Sequence, residues 1–373
     1  MKRILAVLLS LTALLFAVPV YAEGGAGYPY RQGGVEEPDF SYALPSKTTV
    51  KPTTAPSGTT TESTTVRPTD SDLGKTLRLA GADRFETSIA ISRKGWTAAE
   101  AVVVANGFSF ADALAGTPFA AAVDAPILLT GGKSAEPSLL GEISRLNARK
   151  AYLLGGTAVI SADVEGALKA RGMTVVRLSG SDRYGTAVEI AKALAKATDG
   201  SFTEIFFASA ANFPDALAIS SAAAIKGDPI LYAPQSGKQN AATAEYALST
   251  GCRKATILGG TAAISEDGAA DLKAMGFSTV RVYGSDRYST AVAIYNQYDD
   301  VFDRNAITVA TGGNFPDALS GAVYAAKLKA PVVLVGGSVS TGLKKYLASY
   351  PVRSTYIFGG SSAVSDRTAE ELA

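Results

Sequence analysis

The chain has 373 residues, no histidine and a single cysteine, and its 35 Lys and Arg nearly balance 34 Asp and Glu for a formal charge of +1. These counts exclude histidine-based zinc hydrolases, Ser-His-Asp and Cys-His catalysis, thiolate metal sites and any intrachain disulfide. No global field draws such a chain to nucleic acid or a membrane surface, so anion binding has to come from local placement of charge.

Residues 1–22 read as a secretory signal. Lys2 and Arg3 precede an apolar run from Ile4 to Val18, and Val20-Tyr21-Ala22 offers a small-residue cleavage site before Glu23. The run is short for a membrane span, so cleavage is expected rather than stable insertion. Loss of Lys2 and Arg3 would take the formal charge from +1 to −1. Residues 23–44 are rich in Gly, Tyr and acids. Residues 45–70 hold ten Thr, four Pro and three Ser. Such a composition buries no core, and 23–76 is predicted to be a disordered, solvated linker. Whether its Thr and Ser carry sugars is open at this level. Cys252 is expected as a small buried residue at a strand start.

From about Leu77 to Ala373 the chain consists of three near-copies, taken as 77–176, 177–280 and 281–373. Gly81-Ala82-Asp83-Arg84-Phe85 returns as Gly180-Ser181-Asp182-Arg183-Tyr184 and Gly284-Ser285-Asp286-Arg287-Tyr288. Phe110-Ala111-Asp112-Ala113-Leu114 returns as Phe213-Pro214-Asp215-Ala216-Leu217 and Phe315-Pro316-Asp317-Ala318-Leu319. Ala125-Pro126-Ile127-Leu128-Leu129 matches Asp228-Pro229-Ile230-Leu231-Tyr232 and Ala330-Pro331-Val332-Val333-Leu334. Leu154-Gly155-Gly156-Thr157 matches Leu258-Gly259-Gly260-Thr261 and Phe358-Gly359-Gly360-Ser361. An enzyme needs one good site, whereas three equivalent sites suit a binder that gains from multivalency on a repetitive surface.

Within the first copy, 77–79, 101–105, 127–129 and 151–154 read as buried strands, with helices near 84–94, 111–123, 136–147 and 161–170. Tyr184, Ala187, Val188, Ala191 and Leu194 follow the spacing of one buried helix face. Alternating strands and helices imply an α/β class with mostly parallel sheets, and each hundred-residue copy is expected to hold its own core.

Asp83, Asp182 and Asp286 are placed to cap helices, with Glu86 completing a capping box after Asp83. Arg84, Arg183 and Arg287 follow in a loop where open α/β sheets bind ligands. The residues leave two roles open for them: holding the fold through carboxylates or carbonyls, or forking onto a ligand phosphate or carboxylate. Asp112, Asp215 and Asp317 fall in a first helical turn and are read as structural. Catalysis by them would need a partner base or metal ligand at the same repetition, and no such partner is visible. The Gly-Gly turns need permissive backbone, and the helix starts that follow them expose N–H groups suited to an anion. No catalytic residue, metal ligand or cofactor is assigned.

At these motifs the chain resembles the cell-wall-binding repeat type 2 family of Gram-positive, clostridial-type surface proteins. The blocks are Arg-Leu-x-Gly-x-Asp-Arg-Tyr/Phe-x-Thr, Phe-x-Asp-Ala-Leu, the Pro-Ile-Leu-Leu strand, and Leu-Gly-Gly followed by Ile160-Ser161, Ile264-Ser265 or Val364-Ser365. The resemblance implies three tandem Rossmann-like or toprim-like domains in a pseudo-threefold triangle. It also implies secretion to the cell surface, with non-covalent anchoring to an anionic, teichoic-acid-like wall polysaccharide and surface-layer proteins as further partners. Its ligand grooves would lie along Pro126, Ile127, Leu128 and Leu129, along Pro229, Ile230 and Leu231, and along Pro331, Val332, Val333 and Leu334, with basic residues nearby. Tyr232, Val332 and Val333 depart from the family pattern, which sets a uniform groove against the sequence. A wall-polymer hydrolase and an adhesin or scaffold for a protein partner are the alternatives.

Overall fold

A computed structural model describes residues 72–372 except 111, 350 and 351. The expected leader and the expected linker up to residue 71 lie outside the described residues. The linker's last residues are ordered against expectation, with Asp72 paired to Lys94 and with Lys75 and Thr76 in register with Ser354 and Thr355 of a sheet. The first copy runs β1 (Lys75–Leu79), α1 (Arg84–Gly95), β2 (Ala101–Asn106), α2 (Gly116–Ala122), β3 (Ile127–Thr130), α3 (Pro137–Leu146), β4 (Lys150–Leu154) and α4 (Ala162–Lys169). The second runs β5 (Thr174–Leu178), α5 (Arg183–Ala197), β6 (Ile205–Ser209), α6 (Pro214–Lys226), β7 (Ile230–Ala233), α7 (Ala241–Ser249), β8 (Lys254–Leu258) and α8 (Glu266–Ala274). The third runs β9 (Ser278–Val282), α9 (Arg287–Gln297), β10 (Ala306–Thr311), α10 (Pro316–Lys327), β11 (Val332–Val335), α11 (Thr341–Ala348), β12 (Ser354–Phe358) and α12 (Asp366–Glu370).

All strand pairs are parallel. The central strands are mostly apolar because helices cover both faces; β2 and β6 are buried along their whole lengths. The strand and helix alternation read from the sequence is therefore present.

One helix departs from the expected span. Helix α2 starts at Gly116, and Phe110 and 112–115 form turns, with Ala113 and Leu114 N–H donating to Phe110 C=O. In α6 and α10 a proline at the first helical position, Pro214 or Pro316, starts the helix at once. The first copy has Ala111 there and lacks that preset φ.

The sheets are offset from the repeats. Their orders are β3-β2-β4-β5, β7-β6-β8-β9 and β1-β12-β10-β11. The outer strand beyond β4 is β5, which carries the opening Arg-Leu of the second copy; β9 likewise completes the second sheet. The third sheet is completed by β1, in register from Lys75 opposite Ser354 to Leu79 opposite Phe358. A single copy therefore leaves its sheet one strand short, and the expected self-sufficient core gives way to a closed ring of three.

The donated strands carry a clasp. Arg78 Nη1 donates to the carbonyls of Gly359 and Val364. Arg177 Nη1 donates to those of Gly155 and Ile160, and Arg281 reaches Gly259 and Ser265. In each case the neighbour's Gly-Gly loop is pinned through backbone oxygens. Helices α2, α6 and α10 meet at the centre. There Phe110, Phe213 and Phe315 form a triangle with ring centroids 5.7, 5.7 and 6.0 Å apart. The triad marks an approximate threefold axis and gives these aromatics a core role.

Two outcomes are expected. Phe315→Ala should cost about 3–5 kcal/mol in denaturant unfolding, as for other buried aromatics. Deleting 72–80 should end single-transition melting in calorimetry and shift the first proteolytic cuts into 306–372. Unchanged melting would show that ring closure adds nothing.

Candidate functional site

Each donated strand runs directly into a Gly-x-Asp-Arg turn that lands on the neighbouring copy, so the motifs assemble at seams. The turn needs its glycine because a Cβ at Gly81 would lie 2.2 Å from Glu86 Cβ, and one at Gly180 2.3 Å from Gly185 C. The N–H groups of Gly81, Gly180 and Gly284 donate to Thr87, Thr186 and Thr290 Oγ1 at 3.1, 3.1 and 2.9 Å. Asp83, Asp182 and Asp286 cap α1, α5 and α9. The expected reciprocal bond forms in α9, where Asp286 N–H donates to Ser289 Oγ. Glu86 offers its backbone N–H to Asp83 instead.

The capped helices hold the arginines in one pose. Arg84, Arg183 and Arg287 Nη1 donate to the carbonyls of Gly107, Ala210 and Gly312 at 2.6, 2.5 and 2.7 Å. These oxygens follow the second strand of each copy. Each arginine also faces an aspartate of the preceding copy: Arg84 faces Asp317, Arg183 faces Asp112 and Arg287 faces Asp215. Among the described residues none of the three is in an ion pair. The carbonyl bond holds each fork without neutralising it, and Arg287 Cζ also lies 5.7 Å from the Phe213 ring centroid.

The aspartates are half-buried against the first glycine of each doublet. A Cβ at Gly259 or Gly359 would lie 2.3 Å from Asp215 or Asp317 Oδ2, and one at Gly155 3.1 Å from Asp112 Oδ2. These glycines also have φ of +91°, +99° and +109°, so both space and backbone exclude a side chain. Burial pushes the Asp215 carboxyl up to about 6, against the pull of Arg287. Burial also raises Asp317 against Arg84, and Asp112 against Thr186 and Arg183. At the seam of the third and first copies a cleft of about 320 Å³ opens, lined by Arg84, Thr87, Asn314, Asp317 and Ser362 among others. It lies at the carboxyl ends of the strands, where such sheets receive ligands.

The remaining sequence-predicted residues sit elsewhere. Pro126, Ile127, Leu128 and Leu129 are buried in and beside β3, as are Pro229, Ile230 and Leu231 at β7 and Pro331, Val332, Val333 and Leu334 at β11. They lie in and beside an end strand of each sheet. Tyr232 is fully buried and lies close enough to Asp112 and Arg183 to feel their charges. The free N–H groups after the Gly-Gly turns are capped by Ser161, Ser265 and Ser365. Cys252 is buried. Sequence reasoning quoted Arg78, Arg177 and Arg281 within a motif without seeing their clasp, and it passed over Phe108. Among the described residues no group of His, Cys, Asp and Glu could hold a metal, and no helix is long and apolar enough to cross a membrane.

The family described as cell wall binding domain 2 matches residues 78–165, 177–268 and 281–369, and the chain belongs to that family in three tandem copies. An N-acetylmuramoyl-L-alanine amidase, LytC, of Bacillus subtilis (strain 168) is 29% identical over 296 residues, covering 79% of this chain and 57% of the relative. An amidase enhancer of the same organism is 30% identical over 307 residues, covering 82% of this chain and 41% of the relative. Cwp6 from Clostridium difficile matches with a TM-score of 0.72 at 30% identity, over 77% of this chain and 46% of that one. Cwp8 from the same organism matches at 0.71 and 28% identity, over 80% and 52%. The chain thus spans about half the length of the relatives it matches.

The raised aspartates make a pH prediction. A carboxyl held up to about 6 when folded, against an ordinary 3.8, binds its proton more tightly folded than unfolded. Its contribution to stability is therefore greatest near pH 4 and falls as pH rises through 6. Asp215→Asn should flatten that part of the stability profile measured by urea unfolding from pH 4 to 7.5. An unchanged slope would remove Asp215 from the account.

Proposed function

We propose that the three seams of this cell wall binding domain 2 protein bind an anionic wall glycopolymer non-covalently and anchor a secreted protein at the cell surface. The observation that carries this is the arginine at each seam, fixed by one carbonyl and paired with no described carboxylate. A guanidinium so held offers its remaining N–H donors to a phosphate or carboxylate at low entropic cost. The chain's near-zero charge supplies no long-range pull, so attachment rests on three local sites engaging one repetitive polymer. Linked sites gain roughly 10²–10⁴ in avidity over one. The Thr-rich stretch 45–70 then serves as a tether that projects the short N-terminal segment 23–44 from the anchor, and surface-layer proteins are candidate neighbours at the wall.

The amidase name among the relatives is set against this reading by where the match falls: it covers the repeats, which make up about half of that enzyme. Each seam aspartate faces an arginine and a glycine turn. The reading adopted is a non-catalytic module.

The test is co-sedimentation with purified Gram-positive walls, before and after extraction of the anionic polymer, at low and high salt. Binding should fall on extraction and weaken with salt. Replacing Arg84, Arg183 and Arg287 together by Ala should lower wall affinity by roughly 10²-fold or more, with the circular dichroism spectrum unchanged. Release of soluble wall fragments would favour the hydrolase, and binding only to protease-sensitive wall material would favour a protein partner.

A further inference from the structure

The three seams share a frame but not a surface. Phe108 follows β2 by two residues, and the equivalent positions in the other copies are Ala211 and Gly313. It is 64% exposed, the most open of the large apolar side chains among the described residues. A ring left in water at that extent forgoes most of its burial energy, so its position calls for an account. It is also held still. Arg84 Cζ lies 4.7 Å from the ring centroid, and Phe85 meets the ring edge-on at 5.6 Å and 77°. Arg84 in turn is tied to Gly107 C=O and lines the polar cleft between the third and first copies. One guanidinium thus joins an exposed aromatic to a cleft rimmed by Thr87, Asn314, Asp317 and Ser362.

We propose that Phe108 is an aromatic platform for a sugar ring of the wall polymer, making this seam a carbohydrate subsite whose ring beside the arginine has no counterpart at Ala211 or Gly313; the exposed Tyr283 lies instead against Gly260. This rests on the wall-polymer reading above and names the chemistry at one of its seams. A pyranose has an apolar C–H face that stacks on an aromatic ring and a hydroxyl rim that needs hydrogen-bonding partners. Phe108 offers the face, and the cleft offers hydroxyl, amide and carboxylate partners. Arg84 lies between them, where an acidic substituent on the sugar would meet its free N–H donors. A bare polyanion has no use for the ring.

The experiment uses the chain from residue 23 onward with three substitutions at 108. Phe108→Ala and Phe108→Leu should each lower affinity for purified walls roughly two- to five-fold, the scale of an exposed aromatic contact. Phe108→Tyr should retain it. Leu keeps the apolar cover over Arg84, so a loss shared by Ala and Leu separates sugar stacking from support of the arginine. Phe108→Trp adds an exposed fluorophore beside the buried Trp96. Acrylamide quenching of it should fall when soluble polymer extracted from the walls is added, and stay unchanged with polyphosphate of equal charge. Wild-type binding with no change in Ala or Leu overturns the subsite and leaves wall anchoring intact. Protection by polyphosphate equal to that by wall polymer reduces the site to a charge contact and also overturns it. A Trp at 108 already shielded without ligand would show that another part of the chain covers the ring, with the same consequence. Failure of the wild-type chain to sediment with walls overturns both readings.

Discussion

The fourth strand of every sheet is borrowed, and the rest of the molecule follows from that loan. A parallel strand has backbone donors and acceptors that must be paired where they are buried. Here β5, β9 and β1 satisfy the outer edges of β4, β8 and β12, which belong to the adjacent copy. Each donated strand carries an arginine whose donors seize carbonyl oxygens of the neighbour's Gly-Gly loop. The strand then ends within a few residues of the Asp-Arg turn. The turn has no freedom to lie elsewhere than across the seam, and its arginine arrives opposite the neighbour's aspartate because of it. No isolated copy contains a complete seam.

The seam balances two opposed charges without letting them neutralise each other. The guanidinium is anchored by a carbonyl oxygen at hydrogen-bond distance, while the aspartate is held against a glycine with φ near +100° in a half-buried slot. Desolvation raises the acid, most clearly at Asp215, and weakens its claim on the arginine. A fully exposed aspartate would compete with a ligand anion for the same N–H groups. A fully buried one would need a close partner and would consume the fork. The intermediate placement keeps the arginine oriented and available, and the same geometry recurs three times at a spacing fixed by the ring.

Much of this was legible in the chain. Repetition located the seam arginines, aspartates and glycines, the strand and helix alternation follows the apolar runs, and Asp83, Asp182 and Asp286 cap as their positions before helices require. What stayed hidden has physical causes. The pattern of β5 is the same whether it pairs within its copy or across the boundary, because periodicity records burial and not partner. A run such as Pro-Ile-Leu-Leu signals an apolar strand but not which layer it faces, and here it is a buried end strand of its sheet. The late start of α2 turns on one residue, Ala111 in place of proline. Glu86 has the chemistry for a capping box, yet the reciprocal bond forms at Ser289, whose short side chain reaches the cap N–H without loss of rotamer freedom. Phe108 escaped because the search for repeated residues discards whatever occurs once.

That last omission bears on how a symmetric frame acquires specificity. On the proposed reading, three equal arginines would recognise charge and spacing alone. Discrimination then needs a feature that breaks the symmetry, and substitution at an exposed position after a central strand costs the fold little. In the second and third copies that position is Ala211 or Gly313, so no ring covers the arginine from there, although Arg287 Cζ lies 5.7 Å from the Phe213 ring centroid. In the first it is Phe108, braced by Phe85 and Arg84. The frame thus separates two tasks. Strand exchange, the arginine clasp and the phenylalanine triad fix the distance between seams, while residues just beyond the strand ends are free to set what each seam recognises.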